Sequence, residues 1–262
     1  MINFTKMHGI GNDFVILDGI AEELPPGNLA GLSQRMCDRH RGVGADGLIL
    51  VERSNRAPWR MRMLNPDGSE SEMCGNGLRC FAQYILDRGY ETASEFKVET
   101  GAGVLAVSAV NGLIKVNMGR YVLPPKDTTL PVLPHGLYGF PVSMGNPHLV
   151  IFVPDVAAVP LESWGPELEH HAAFPERTNV HFVQVIDRGS VRQRTWERGA
   201  GITLACGTGA CSVAVTGFVT GKTESKVKVH LPGGDLVIEV QEDEFVMMSG
   251  PANTVFAGVW PD

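Results

Sequence analysis

Two cysteines in this chain carry nearly the same setting. Cys74 stands in Glu72-Met73-Cys74-Gly75-Asn76-Gly77-Leu78-Arg79-Cys80, and Cys206 in Leu204-Ala205-Cys206-Gly207-Thr208-Gly209-Ala210-Cys211. Each is followed by Gly-Xaa-Gly, a second cysteine and an apolar run: Phe81 to Leu86 in one case, Ser212 to Val219 in the other. Both runs are apolar nearly all round a helical wheel, the pattern of a helix buried on every side. Each first cysteine then sits at a helix mouth, where unpaired N–H groups and the helix dipole stabilise a thiolate or a bound carboxylate. Two such thiols suit proton transfer at a carbon acid. One, as thiolate, removes a proton from one face, and the other, as thiol, returns one to the opposite face, so the stereocentre inverts. A thiol fits this work because its ordinary pKa lies near neutrality. The α-proton of an amino acid is weakly acidic, so the carbanion needs help. Backbone N–H groups of Gly75-Asn76 and Gly207-Thr208 supply it by binding the carboxylate as it becomes enolate-like.

No cofactor is implied. The lysines lie outside these motifs, and no P-loop or Rossmann spacing occurs. No metal site is expected either, because Cys-x5-Cys and Cys-x4-Cys do not match the spacing of structural zinc sites. Cys37, Cys80 and Cys211 are expected to be core residues.

These cysteines need a scaffold that repeats. Residues 2–18 alternate into two short strands around His8-Gly9-Ile10-Gly11-Asn12-Asp13, and a helix is expected at about 28–39 with Leu29, Leu32 and Met36 on one face. Asp46 to Val51 and Trp59 to Leu64 read as strands, and the turn-forming Asn65-Pro66-Asp67-Gly68-Ser69-Glu70 delivers the chain to Cys74. Strands are expected near 95–100, 103–110 and 113–118, the last two joined by Asn111-Gly112. The second half repeats this order: strands at 139–144 and 148–153 around Gly145-Asn146-Pro147-His148, a helix near 161–172, and strands at 180–186 and 190–196. The turn Glu197-Arg198-Gly199-Ala200-Gly201 then leads to Cys206, with strands at 226–231, 235–240 and 244–249 closing the repeat. A period of half the chain means duplication of a domain. The expected fold class is α+β, with two pseudo-symmetric domains, each a curved, mostly antiparallel sheet wrapped around a buried helix. The boundary is placed at 120/121, ahead of a proline-bearing stretch, giving halves 1–120 and 121–262, with residues about 254–262 as candidates to pack back onto the first half.

Bulk properties exclude other classes. At 44% apolar and 19% charged, with no apolar stretch of spanning length, the chain reads as soluble and not membrane-bound. A net charge of −7 without a basic cluster argues against nucleic acid. Five cysteines, an odd number, and an N-terminus unlike a signal peptide point to reduced thiols in the cytoplasm.

Taken together, Asn65 to Glu70 leading into Met73 to Cys80, Gly145 to His148, Glu197 to Gly201 and Ala205 to Gly209 resemble the diaminopimelate epimerases. The likeness runs from His8-Gly9-Ile10-Gly11-Asn12-Asp13-Phe14 to Gly250-Pro251-Ala252, practically the whole chain. The resemblance implies a cofactor-independent epimerase that interconverts LL- and meso-2,6-diaminopimelate for lysine and cell-wall synthesis, on a two-domain fold that closes on substrate, as a homodimer. It implies Cys74 and Cys206 as the acid/base pair, donor and acceptor respectively, with His148 and Glu197 adjusting their protonation. Asn12, Asn65, Asn146, Asn179, Glu197 and Arg198 would hold the substrate, with Arg198 on the carboxylate of the non-reacting end, where its planar fork fits. Gly75, Asn76, Gly207 and Thr208 would bind the reacting carboxylate. Asp46 falls in a loop that contributes a substrate contact in that family, and Phe256 matches an aromatic position at the dimer interface.

Three rivals remain. A proline or hydroxyproline racemase would be expected to show histidine where this chain has Asn76. A thiol-disulfide redox protein would be expected to carry Cys-x-x-Cys, which is missing around these cysteines. A passive binder of diaminopimelate-like ligands differs from the enzyme in turnover alone.

Overall fold

β1 (Ile2–Gly9) and β2 (Asn12–Asp18) pair antiparallel with Gly9 opposite Asn12, so Ile10 and Gly11 alone turn the chain. Both have positive φ, 51° and 90°, the geometry that matches the twist of the flanking strands. A β-branched residue there is strained; burial of Ile10, 3% exposed, offsets the strain. The computed structural model describes residues 1–24, 27–125, 127–128 and 130–261.

α1 (Leu29–Cys37) is capped by Asn28, whose side chain accepts from the Gly31 N–H. It carries the chain across to β3 (Gly47–Arg53), which runs parallel to β2, an arrangement that requires such a crossover. Leu32 and Met36 of α1 pack with Val15, Leu17, Leu48 and Leu50, as the one-faced apolar pattern requires. β4 (Trp59–Leu64) returns antiparallel to β3, and β5 (Glu70–Ser71) pairs with its end. α2 (Gly75–Asp87) crosses to β6 (Glu95–Thr100), parallel to β4, and β7 (Gly103–Val110) and β8 (Leu113–Arg120) follow as a meander.

The same order then recurs. β9 (Gly139–Ser143) and β10 (Pro147–Phe152) pair antiparallel, α3 (Leu161–Glu169) crosses to β11 (Asn179–Asp187) parallel to β10, and β12 (Ser190–Glu197) returns. β13 (Gly201–Ile202) pairs with the end of β12. α4 (Gly207–Val219) crosses to β14 (Lys226–Leu231), parallel to β12, and β15 (Gly234–Val240) and β16 (Phe245–Gly250) complete the meander. β17 (Asn253–Trp260) pairs antiparallel with β1. The fold is thus two-domain α+β, in which each of the four helix crossovers joins a parallel pair while the hairpins and meanders pair antiparallel.

The chain divides into two compact units, Met1–Val116 with Gly250–Asp262, and Asn117–Ser249. α2 is buried continuously from Gly75 to Ala82 and again at Tyr84 and Ile85. α4 is buried from Gly209 to Gly217, but its last residues, Phe218 and Val219, are exposed, so the apolar run is longer than the buried one. No helix among the described residues is long and apolar enough to cross a membrane.

Candidate active site

In the first unit, Cys74 is the N-cap of α2. Its backbone is extended (φ −138°, ψ 114°), and its Sγ accepts from the Gly77 N–H at 3.4 Å. The helix begins at Gly75, so the N–H groups of Gly75 and Asn76 belong to the first turn, which has no intrahelical acceptors. Around Cys74 gather Asn12, whose Oδ1 accepts from the Cys74 thiol at 3.8 Å and from Asn76 Nδ2 at 3.0 Å, and Asp46, whose Oδ2 accepts from Asn12 Nδ2 at 2.7 Å. Asp46 also accepts from the Asp13 N–H and from Arg39. Burial pushes the Asp13 carboxyl up, but hydrogen bonds from Arg39 and Lys6 outweigh it and hold that group at about 2. Asn65 sits in the turn before β5, its Nδ2 donating to Ser69 Oγ at 3.0 Å and its carbonyl accepting from Ser33. Burial pushes the Cys80 thiol up to about 12, and Cys37 is also buried.

In the second unit, Cys206 caps α4 with an extended backbone, its Sγ 3.9 Å from Thr208 Oγ1. Burial raises its thiol pKa, and the adjacent Glu197 carboxylate raises it further. Thr203 donates its hydroxyl to that same carboxylate. Asn179 is buried and doubly used: its Oδ1 accepts from the Arg198 N–H at 3.0 Å and its Nδ2 donates to the Pro147 carbonyl at 2.8 Å. The exposed Arg198 side chain donates from Nη1 to the Glu176 carbonyl. His148 is 1% exposed, with Nε2 2.9 Å from Asn146 Oδ1 and Nδ1 2.8 Å from Nε2 of His181. Burial, with the Arg198 charge, holds His148 down at about 3, so it is neutral across the physiological range.

His181 is the residue that the sequence did not single out. It is fully buried, its Nδ1 lies 3.0 Å from Thr195 Oγ1 and 3.1 Å from Gln193 Nε2, and burial drives its pKa well down. It also lies against the first turn of α4, where a Cβ on Gly209 would come 2.3 Å from its Cε1. Its signal was a histidine in the otherwise apolar run Val180 to Val183. Phe256 lies on β17, 46% exposed, edge-on to Phe4 at 5.9 Å. Among the described residues no group of three or more His, Cys, Asp or Glu is placed to hold a metal ion.

Each unit therefore offers a cysteine at a helix N-terminus with polar side chains around it. A family model described as diaminopimelate epimerase matches residues 4–124 and 140–255. A diaminopimelate epimerase of Moorella thermoacetica is 50% identical with 99% of each chain covered, and one of Pelotomaculum thermopropionicum is 48% identical with the same coverage. Among solved structures, a PhzF-family phenazine biosynthesis protein from Bacillus anthracis is similar with a TM-score of 0.75 at 18% identity, covering 98% of both chains. A hydroxyproline epimerase from Agrobacterium vitis gives a TM-score of 0.67 at 15% identity, covering 98% of this chain and 91% of that one. At such identities these structures share the fold.

Proposed function

The chain belongs to the diaminopimelate epimerase family, and from that membership we propose how its own residues carry the reaction. It is an isomerase that interconverts LL- and meso-2,6-diaminopimelate without a cofactor, a step toward lysine and peptidoglycan precursors. Cys74 and Cys206 are the acid/base pair, each serving as base in one direction and as acid in the other. What supports this is that each cysteine caps a buried helix at its N-terminus, so the same turn that receives the substrate carboxylate also holds the thiol. The N–H groups of Gly75, Asn76, Gly207 and Thr208 bind the reacting carboxylate and draw charge out of the carbanion as it forms. Asn12, Asn65, Asn146, Asn179 and Arg198 hold the rest of the substrate, with Asp46 behind Asn12. Glu197 keeps a proton on Cys206 until substrate arrives, and His148 acts as a neutral partner that holds Asn146.

In deuterated water the enzyme is expected to place deuterium on the α-carbon of diaminopimelate, starting from either isomer. Intact thiols without exchange would refute proton transfer. Replacement of either cysteine by alanine is expected to abolish epimerisation with the fold retained, and near-normal turnover by either variant would refute the two-base scheme. The protein is further proposed to be a cytoplasmic homodimer, supported by its five cysteines standing outside any disulfide and by the exposed Val255, Phe256 and Val259 of β17. Sedimentation of the protein and of Phe256→Glu tests this: the substitution is expected to yield monomer, and unchanged dimer would exclude that surface.

A further inference from the structure

Asn12 and Asn76 are the side-chain amides beside Cys74, and an isolated amide can face its neighbours in two ways. Here each is fixed from its far end. Asp46 Oδ2 lies 2.7 Å from Asn12 Nδ2 and accepts as well from the Asp13 N–H at 3.0 Å, while Oδ1 accepts from Arg39 Nη2 at 2.7 Å. A carboxylate paired with a guanidinium only accepts, so Asn12 must turn its NH2 toward it. At the other end, Arg79 Nη1 lies 2.9 Å from Asn76 Oδ1. A guanidinium only donates, so Asn76 must turn its carbonyl toward Arg79 and its NH2 toward Asn12 Oδ1, 3.0 Å away. Turning either amide over would set N–H against N–H at one contact and oxygen against oxygen at the next. Arg79 is itself fixed: it is fully buried, its Nε reaches the Pro251 carbonyl at 3.3 Å, and Gly9 leaves it room where a Cβ would come 2.8 Å from Nη2. Asp46 is steadied by Arg39, which also pairs with Asp13, and Lys6 pairs with Asp13 in turn.

We propose that Asp46 and Arg79 are positioning residues, the oppositely charged ends of a hydrogen-bonded chain Arg79–Asn76–Asn12–Asp46 that locks both amides, so that Cys74 meets the carbonyl oxygen of Asn12 and never its N–H. The assignment deepens the epimerase reading, on which its catalytic meaning rests. It makes Asp46 the group that orients Asn12 through its amide. An oxygen facing sulfur favours the thiol, whereas an N–H would favour the thiolate. The lock therefore sets how readily Cys74 gives up its proton.

Asp46→Asn and Asp46→Ala separate orientation from charge. Both remove the negative charge, but asparagine keeps an oxygen for Asn12 and the Asp13 N–H, with the exposed Arg39 still held by Asp13, while alanine removes the acceptor. The readout is the pH dependence of iodoacetamide alkylation at Cys74, followed by peptide mass, with Cys206 as internal reference. Charged and titratable groups on the elements packed here are Lys6 and His8 of β1, Asp13 and Asp18 of β2, Glu52 and Arg53 of β3, Arg60 and Arg62 of β4, Glu70 of β5, Arg79, Cys80, Tyr84 and Asp87 of α2, and Arg39, Asp46 and Glu72 of the connecting segments. All but Asp46 are common to the three proteins, so they cancel. Asp46→Ala is expected to lower the Cys74 midpoint by about one pH unit, with Asp46→Asn within a few tenths of the parent. Equal shifts in both variants, or none in Asp46→Ala, would overturn the proposal. Should the alanine variant not fold, the parent protein with 15N-labelled asparagine gives a second test. The Asn12 side-chain amide protons are expected to be inequivalent and slow to exchange, and rapid exchange would overturn the lock. No substrate enters either experiment, so failure of the epimerase reading and failure of the lock are told apart.

Discussion

A methyl group on Gly209 would fall 2.3 Å from His181 Cε1 and 2.9 Å from both ring nitrogens. The ring cannot slide away, because hydrogen bonds to His148, Thr195 and Gln193 hold it on both sides. Gly77, at the corresponding place in α2, meets flexible ends instead, Ile49 Cδ1 at 3.2 Å and Met63 Sδ at 3.4 Å. Gly209→Ala is therefore expected to destabilise by about 1–3 kcal/mol, the usual cost of overpacking, despite alanine's better helix propensity. Gly77→Ala should change stability by well under 1 kcal/mol, the helix propensity offsetting a small adjustment. Urea unfolding of the two variants compares them directly, and equal losses would show that the histidine contact is not what demands glycine. The sequence motif presents both glycines as equals. Their difference depends on a side chain far along the chain, which no motif carries.

Strands β10 and β11 run parallel with His148 opposite Asn179, which brings His148 and His181 ring to ring at 5.1 Å between centroids. Both are held neutral by burial, His148 at about 3 against an ordinary 6.5. The sign of the pH dependence follows. Well above 6.5 neither the folded nor the unfolded chain protonates these rings, so their contribution is complete. As pH falls below 6.5 the unfolded chain gains protons that the folded one refuses, and stability drops. The expected loss between pH 7 and pH 5 is about 2 kcal/mol for His148, and His181 adds a loss of the same sign. The carboxylates with depressed pKa, such as Asp13, keep their stabilising contribution over this whole range and lose it only as pH falls from about 4 toward 2. Urea unfolding at the two pH values reads the slope, and His181→Asn is expected to make it shallower. A flat profile in the parent would mean that the pair is protonated in the fold. The elements themselves were largely legible: the strands and helices fall within a few residues of their expected places, because alternation and helical periodicity act locally. The parallel pairings were not legible, since they depend on which strand each crossover reaches. Nor was the burial of β11, whose run Asn179 to Val183 is buried on both faces and shows no alternation to read.

On the scale of the whole molecule, the duplication visible in the cysteine motifs extends to every paired element, hairpin for hairpin and crossover for crossover. β17 breaks that repeat. It follows the second unit in sequence but belongs to the first, pairing with β1 from Ile2 opposite Trp260 to His8 opposite Asn253. Its sequence, Asn253-Thr254-Val255-Phe256-Ala257-Gly258-Val259-Trp260, follows a second repeat that is already complete, and residues about 254–262 are the sequence's candidates to pack back onto the first half. Physically the reason lies at β1: Phe4 packs edge-on to Phe256 and comes so close to Gly258 that a Cβ there would lie 2.7 Å from its ring. Removing residues 253–262 should then strip β1 of one partner and expose the buried Ile2 and Phe4. The consequence is specific to the first unit. Amide hydrogen exchange is expected to rise in β1 and β2 by an order of magnitude or more, corresponding to roughly 1.4 kcal/mol of lost protection, while β11 and β12 keep theirs. On the proposed mechanism the loss would reach activity through Asn12, which opens β2 opposite Gly9 and depends on the β1–β2 hairpin for its place beside Cys74. Exchange that rose equally in both units, or in the second alone, would show that the returning strand does not support the first unit in the way its pairing indicates.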